Sequence, residues 1–438
     1  MINLDGRTEI FGRKRVEEMR SSKKGCGYLG KIVSYPGNKY EEMGSVHIDL
    51  TSPHCMLVLG KRGSGKSYTL GVMIEGFAEL EEDVKERISL IVVDTMSAFH
   101  GLKTENCNAF EAERLNDFNG LSPTDYEDDI DIFMPKLSIE KYSEDEKPDY
   151  DHLIQFPLKD VDATEWLSLF DLEPTEPTGI LLWDVLDELK KDQKHFHFQD
   201  IYDKLEDKGE NGLALKNFFR QIEELDIFTE KKSSFKELTT GGNISVLDMS
   251  YLGRLKGYDV RNLLLSIIGK KLLQKRTLYS TLEMQAKAGM IDDELKSKVS
   301  DNPLIYMMID EAHLFLPKDR KTLSSDVLLD WVKLGRHPGL SLIMATQEPS
   351  AIHESAIRQS DIIMSHNLTS HDDIEALEKA RQSYMSDGKD IKSMVSQMEN
   401  KRGLSIIFDD NTRSMEMCMV RPRRSLHTGV DASALPDK

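Results

Sequence analysis

Gly60-Lys61-Arg62-Gly63-Ser64-Gly65-Lys66-Ser67 decides the fold of this 438-residue chain, because it matches the pattern G-x-x-x-x-G-K-[S/T] in full. An apolar run at residues 56–59 precedes the stretch, and a helical pattern over residues 66–80 follows it. Glycines let backbone N–H groups turn inward around phosphate groups, and the new helix presents its positive end to them. The sequence therefore predicts a strand, a phosphate-binding loop and a helix in succession.

The residue types of this loop assign a role to its members. We expect Lys66 to reach the β- and γ-phosphates of ATP and the Ser67 hydroxyl to ligate Mg²⁺. A chance glycine-rich turn is the alternative, and the strand before it and the helix after it argue against that reading. The expected ATP-binding residues are Gly60, Lys61, Arg62, Gly63, Ser64, Gly65, Lys66, Ser67 and Tyr68.

An acidic pair is the predicted partner of the loop. An apolar run at residues 304–309 ends in Asp310 and Glu311. At the end of a strand, Asp310 would face the metal through water, and Glu311 would polarise the attacking water. Such a pair alone often only caps a helix, but together with an intact phosphate loop it predicts hydrolysis. His313 is either a proton-relay residue or an ordinary helix-start histidine.

A third element is the apolar run at residues 340–346, which ends in Gln347. In a sheet of this kind, the end of that strand lies beside the γ-phosphate. Gln347 would sense the phosphate there or hold the attacking water. The alternative is a glutamine that ends a strand at the turn before Pro349.

The alternation of elements predicts an α/β fold. Apolar runs recur at residues 55–60, 88–95, 244–249, 304–310, 340–347, 361–365 and 404–408, and helical patterns such as residues 326–334 lie between several of them. The runs are nearly continuous in hydrophobicity, which is typical of parallel strands covered by helices on both faces. We therefore expect a mostly parallel sheet.

The composition argues against a membrane protein, a secreted protein and a zinc- or disulfide-stabilised fold. The chain is 39% hydrophobic and 30% charged, which is typical of a globular protein, and it carries a formal net charge of −19. No stretch has the apolar length of a membrane helix, and no secretory signal is evident. The cysteines form no CxxC pair, which argues against a zinc ribbon or a disulfide framework and indicates a cytoplasmic location. They are Cys26, Cys55, Cys107 and Cys418.

These motifs together resemble the HerA branch of the HerA–FtsK ATPases. The resemblance covers roughly residues 45–101 and 241–425. Its specific stretches are residues 53–60, Asp310-Glu311-Ala312-His313, Leu334-Gly335-Arg336, Ala345-Thr346-Gln347 and Arg421-Pro422-Arg423-Arg424. The resemblance implies a hexameric ring that pumps double-stranded DNA, often alongside a NurA-type nuclease.

Four regions are expected on this basis. Residues 51–101 and 241–420 would form a RecA-like P-loop ATPase core, and residues 102–240 an acidic helical insertion. Residues 1–50 are shorter than the family's N-terminal β-barrel, so we expect a reduced barrel or a few strands. Residues 421–438 would form a basic C-terminal tail.

The family's active sites are completed by an arginine from the neighbouring subunit. Arg336 is the leading candidate for this residue, and Arg358 is the second. An arginine supplied in trans contributes about 10³–10⁵ in rate in other NTPases. The alternative is that both arginines form surface salt bridges.

A basic loop follows the acidic pair and includes Lys318, Arg320 and Lys321. These side chains would contact DNA phosphates without reading sequence, although a solvated loop is an equal alternative. The helix at residues 261–276 offers a second basic face, but amphipathic helices routinely carry lysines outward.

A different class of function is also open: the acidic insertion and the net charge would suit a regulatory or assembly ATPase that acts on a protein partner.

Overall fold

The structure is a computed structural model that describes residues 7–13, 22–34, 41–140, 148–192, 195–229, 234–252, 254–255, 258–290, 302–380, 391–398 and 401–428. The acidic run at residues 144–146, part of the N-terminal segment and the end of the predicted basic tail, residues 429–438, lie outside the described residues.

The described strands are numbered in chain order. They are β1 (Thr8–Phe11), β2 (Cys26–Ser34), β3 (Glu41–Asp49), β4 (Cys55–Leu59), β5 (Ile88–Asp94), β6 (Ile130–Met134), β7 (His152–Leu153), β8 (Phe156–Pro157), β9 (Phe228–Thr229), β10 (Ile244–Asp248), β11 (Arg254–Leu255), β12 (Tyr258–Asp259), β13 (Leu304–Ile309), β14 (Leu340–Thr346), β15 (Ile362–Ser365), β16 (Leu404–Asp409) and β17 (Ser414–Val420).

The described α-helices are numbered in the same way. They are α1 (Lys66–Ala78), α2 (Glu82–Lys85), α3 (Ala109–Asp117), α4 (Lys136–Ile139), α5 (Ala163–Leu169), α6 (Pro177–Asp192), α7 (Phe198–Lys204), α8 (Gly209–Glu223), α9 (Phe235–Leu238), α10 (Val260–Lys287), α11 (Ser325–Leu334), α12 (Glu354–Gln359), α13 (His371–Ala380) and α14 (Ile391–Gln397).

One large sheet organises the described residues. Its strand order is β1-β3-β2-β17-β16-β15-β4-β14-β13-β5-β10-β6-β7. All neighbours from β15 through β4 to β7 are parallel. On the other side, β15, β16, β17, β2 and β3 pair in antiparallel fashion. The predicted α/β class with a mostly parallel core is confirmed.

The core lies on both faces of this sheet. Successive residues of a strand point to opposite faces, and in β4 Leu57 and Leu59 join one buried apolar cluster while Met56 and Val58 join the other. Every residue of β5 and of β14 is buried. Burial on both faces explains why the sequence shows continuous apolar runs instead of alternation.

The region at residues 102–240 is not wholly helical. Its strand β6 joins the main sheet beside β10, and α5 to α8 pack around aromatic side chains centred on Trp166. At the other end of the chain, β2 pairs with β17, so the described N-terminal strands extend the same sheet. The division of the chain into four regions stays a prediction.

No helix of the described residues combines the length and the apolar character that crossing a membrane requires.

Candidate functional site

The loop between β4 and α1 is shaped by its glycines. Gly65 immediately precedes α1 with φ 107°, a left-handed conformation that residues with a side chain rarely adopt. At Gly60, a Cβ would lie 2.4 Å from Ser64 Oγ and 2.8 Å from His366 Cβ, so only glycine fits. The turn leaves the amino end of α1 open toward the carboxyl edge of the sheet, which is an anion-binding arrangement.

Lys66 is the first residue of α1, and its side chain is buried. Its Nζ donates a hydrogen bond of 3.3 Å to the Lys61 carbonyl. Burial lowers the pKa of Lys66, whereas the nearby charges of Glu311 and Asp310 oppose that effect. The amine is therefore held inside the loop and close to the acidic pair.

The acidic pair meets the loop although β14 separates β13 from β4 in the sheet. The Ser67 hydroxyl donates a hydrogen bond of 3.0 Å to Asp310 Oδ2. Asp310 is only 1% exposed, and burial raises the pKa of its carboxyl. Parallel strands end at the same edge, which is why two stretches separated by more than 200 residues in sequence converge.

Glu311 lies at this edge in a left-handed conformation, with φ 51°. Burial, reinforced by the charge of Asp310, raises the pKa of Glu311 to about 6. Its buried Oε2 has no hydrogen-bond partner among the described residues. A half-buried carboxylate with one oxygen free of hydrogen bonds and a raised pKa has the properties of a general base.

His313 contacts the same carboxylate. Its Nδ1 lies 3.4 Å from Glu311 Oε2 and 3.1 Å from Thr346 Oγ1, and only the second distance is that of an ordinary hydrogen bond. Burial lowers the pKa of His313, so the ring is neutral at physiological pH. Gln347, half-buried at the end of β14, is close enough for its backbone N–H to moderate the pKa of Glu311.

The residues present fit a hydrated Mg²⁺ and a triphosphate. Mg²⁺ prefers oxygen ligands, and the Ser67 hydroxyl and the Asp310 carboxylate supply them in contact with one another. In the loop itself, the buried Ser64 Oγ has no partner among the described residues. Unsatisfied buried polar atoms are rare in proteins, and a bound ligand is one of their explanations.

His366 is a residue of this site that the sequence did not indicate. It follows β15, is fully buried, and lies 2.9 Å from Thr69 Oγ1 in the first turn of α1. A polar residue directly after an apolar run was the only signal available. Many such residues merely end a strand, so the pattern alone does not distinguish His366.

Arg336 lies away from this chain's own phosphate loop. It precedes β14, whereas the loop follows β4, and the two strands are parallel. The Arg336 side chain is exposed, and its Nη2 lies 3.4 Å from Asn411 Oδ1. Arg358 is exposed on α12 and forms a surface salt bridge of 2.7 Å with Glu354.

The basic loop at residues 318–321 is exposed and contacts the segment that follows β14. The backbone N–H of Lys318 donates to the Ala351 carbonyl at 2.8 Å, so the loop packs beside the segment that follows Gln347. The side chains of Lys318 and Arg320 are exposed, and Lys321 pairs with Asp326 at 2.7 Å.

Three cations of the second basic face expected at residues 261–276 bind other parts of the chain, and a role of this face in DNA binding stays a prediction. Arg276 is buried and donates to the Pro338 carbonyl at 2.7 Å. Lys270 forms an ion pair with Glu165 in α5, and Lys271 forms one with Asp160, which precedes α5. These cations bind groups of neighbouring segments, although the side chains of Lys270 and Lys271 remain 36% and 30% exposed.

The basic stretch at residues 421–424 also turns inward. Arg421 and Arg423 are fully buried, and Arg421 Nη1 lies 2.5 Å from the buried carboxylate of Glu75 in α1. The backbone N–H of Arg423 donates to the Tyr68 hydroxyl at 2.7 Å. These arginines therefore brace the helix that begins at the phosphate loop of the same chain.

The fold and the site define a P-loop nucleoside triphosphatase. The family model "Helicase HerA, central domain" matches residues 37–275, and the "Helicase HerA-like C-terminal" model matches residues 255–433. Because the first match alone covers more than half of the chain, the chain belongs to the HerA family, and the predicted resemblance is confirmed.

Two solved structures are similar to this chain, and the first of them, at a TM-score above 0.5, supports the fold. VirB4 of Thermoanaerobacter pseudethanolicus is 13% identical, with 91% of this chain and 97% of that chain covered at a TM-score of 0.51. The genome packaging NTPase B204 of Sulfolobus turreted icosahedral virus 2, in complex with ATP-gammaS, is also 13% identical, with 83% and 96% covered at a TM-score of 0.34. The comparison with curated protein sequences found no match.

Proposed function

We propose that this chain is an ATP-driven double-stranded DNA translocase or helicase that works as a hexameric ring in DNA end processing or defence. Membership of the HerA family supports this proposal. The main observation in support of ATP hydrolysis is the contact of 3.0 Å between Ser67 Oγ and Asp310 Oδ2. That contact joins the phosphate loop to the acidic strand end.

Hydrolysis is assigned to residues of this edge. Ser67 and Asp310 would hold Mg²⁺, which when bound neutralises phosphate charge. Lys66 binds the phosphates, and Glu311 accepts a proton from the attacking water through Oε2. Gln347 orients that water or senses the γ-phosphate. We assign water as the acceptor of the phosphoryl group, because Glu311 and Gln347 suit the activation of water.

A ring is favoured by the surface around Arg336. Leu334, two residues earlier, is 58% exposed, and Leu278 on the adjacent helix α10 is 59% exposed. Exposed apolar side chains beside a functional arginine suit a contact with a second copy of the chain. We propose that this contact carries Arg336 into the neighbour's active site, with Arg358 as the second candidate.

DNA is assigned to the loop of Lys318, Arg320 and Lys321, which lies between the catalytic strand end and α11. Phosphate contacts from such a loop are independent of sequence and weaken as salt rises. A NurA-type nuclease is the further partner that the family suggests.

The test measures ATP turnover with and without blunt duplex DNA over a range of salt concentrations. We expect duplex DNA to stimulate turnover, and the stimulation to fade as salt rises. Replacing Lys318, Arg320 and Lys321 by alanine removes the stimulation but keeps basal turnover. The matched control replaces three exposed cations elsewhere, Lys191, Lys208 and Arg220, and keeps both. Turnover that no form of DNA changes at low salt contradicts the DNA assignment.

A second candidate is a regulatory or assembly ATPase that acts on a basic protein partner. The observation that favours it is an open groove of about 460 Å³. Its acidic lining residues are Glu82, Glu86, Asp128, Asp129, Asp131 and Glu237. Recovery of one stoichiometric protein partner from nuclease-treated extract, together with turnover that DNA leaves unchanged, would select this function instead.

A further inference from the structure

His366 lies where three elements of the ATPase core meet. Its ring Nε2 is 2.9 Å from the Thr69 hydroxyl in α1, and its ring Nδ1 is 3.2 Å from the Leu404 carbonyl in β16. Its backbone N–H donates to the Leu59 carbonyl, at the end of β4, at 2.7 Å. One fully buried residue thus connects the helix after the phosphate loop, the strand before it and the antiparallel side of the sheet.

The hydrogen-bond pattern fixes the protonation of the ring. A carbonyl oxygen can only accept, so the hydrogen bond to Leu404 requires a proton on Nδ1. In the neutral ring Nε2 then accepts from the Thr69 hydroxyl. Burial lowers the pKa of His366 to about 4, which keeps the ring neutral and this donor–acceptor order intact at physiological pH.

The same segment touches the phosphate loop itself. The backbone N–H of Lys61 donates to the Asn367 carbonyl at 3.0 Å, and the His366 Cβ approaches Gly60 so closely that an added Cβ there would lie 2.8 Å away. Both ends of the loop are therefore tied to residues 366–367: its start through Gly60 and Lys61, and the helix that ends it through Thr69.

We propose that His366 is a positioning residue for the phosphate loop, acting through Thr69. It does not need to touch the nucleotide. It fixes the first turn of α1 relative to β4 and β16, so that the loop's N–H groups are aligned before ATP arrives. Ordering these groups in advance lowers the cost of binding. The inference rests on the proposed ATP binding at residues 60–67.

The first experiment removes the hydrogen bond while keeping the shape of the side chain. Thr69→Val replaces the hydroxyl by a methyl group. We expect the Kd for a fluorescent ATP analogue with Mg²⁺ to rise about 2- to 10-fold, the factor that corresponds to the loss of one net hydrogen bond. Thr69→Ser keeps the hydroxyl and should restore the affinity.

A matched control separates this effect from general destabilisation. The buried Ser89 hydroxyl donates to the Leu238 carbonyl at 3.0 Å, at the amino edge of the sheet, away from the phosphate loop. Ser89→Ala should lower the Tm by a similar amount as Thr69→Val but leave the nucleotide Kd unchanged.

The second experiment is a double-mutant cycle between the two partners. His366→Asn keeps an N–H donor near the position of Nδ1 but removes the acceptor of the Thr69 hydroxyl. If the two residues act as one unit, Thr69→Val in the His366→Asn protein should add little further loss of affinity. The circular dichroism spectrum of each variant confirms that the fold is intact.

The outcomes are distinct. A Kd unchanged by Thr69→Val, or losses that add fully in the double variant, would overturn the role of His366. A parent protein that binds no ATP analogue, at a concentration where its fold is intact, would overturn the proposed ATPase function instead. The two failures are therefore told apart by the parent protein alone.

Discussion

At the scale of single residues, Glu311 shows how the position of a carboxylate in the fold changes its basicity. An exposed glutamate is fully ionised at neutral pH and is a weak base. At the end of β13, burial and the neighbouring Asp310 raise its pKa to about 6, and its Oε2 has no hydrogen-bond partner among the described residues. The combination of these two features, which no sequence pattern displays, separates this carboxylate from the other acidic residues that the structure describes.

The first residue-scale prediction concerns pH. Because the base must be ionised, and the pKa of Glu311 is raised, kcat/KM for ATP should fall about tenfold per pH unit as pH drops below about 6. Glu311→Gln should bind ATP but lose about 10²–10⁴ in kcat, with no such acid limb, whereas Lys66→Ala should lose affinity for ATP. An identical acid limb in Glu311→Gln would assign the titration to another group.

At the scale of elements, the sequence predicted those strands and helices whose own residues carry a recognisable pattern. The loop at residues 60–67, the strands β4, β13 and β14, and helix α1 each carry their own apolar or glycine signal. β6 was not predicted, because it is a short run inside an acidic region and its burial depends on pairing with β10, more than 100 residues away. His366 was missed for the same reason: its partners, Thr69 and Leu404, are adjacent only in the folded sheet.

The basic stretch at residues 421–424 gives a prediction about an element. Glu75 is fully buried in α1, and the charges of Arg421 and Arg423 hold the pKa of its carboxyl below the usual range, against burial. Glu75→Ala would leave two buried guanidinium groups without their carboxylate, so we expect a loss of about 3–5 kcal/mol in the free energy of unfolding.

Urea denaturation of the two proteins measures this loss. The control is Glu354→Ala, which removes an exposed partner of Arg358 and should cost about 0–1 kcal/mol. A similar small cost for both substitutions would show that the segment at residues 421–424 does not brace α1.

At the scale of the whole molecule, the sheet separates the two halves of the proposed catalytic machinery. The phosphate loop and Glu311 lie at the carboxyl edge, and Arg336 lies before β14 at the amino edge. β14 has seven residues, so its length is about 23 Å. No rearrangement of side chains brings Arg336 to this chain's own nucleotide. A head-to-tail contact between copies is the arrangement that would unite the two edges, and such contacts form a ring when the rotation between successive copies closes.

Mixing two inactive variants tests this arrangement. Arg336→Ala should lower turnover about 10³–10⁵-fold, because each site would lose the arginine from its neighbour. Glu311→Gln is inactive for a different reason. In rings assembled from equal amounts of both, a site is intact when an Arg336→Ala subunit supplies Glu311 and the next, Glu311→Gln, subunit supplies Arg336. Random assembly places these subunits in that order at about a quarter of the interfaces.

Turnover of the mixture should therefore return to about a quarter of the parental rate if sites act independently. Arg358→Ala mixed in the same way is the control for the second candidate, since its side chain is occupied by Glu354 on the same helix. If Arg336 acted only within its own chain, each subunit of the mixture would carry one lethal defect and no activity would return. A trans-acting Arg336 requires that Arg336→Ala alone is inactive, that mixing it with Glu311→Gln restores turnover, and that Arg358→Ala alone keeps nearly the parental rate.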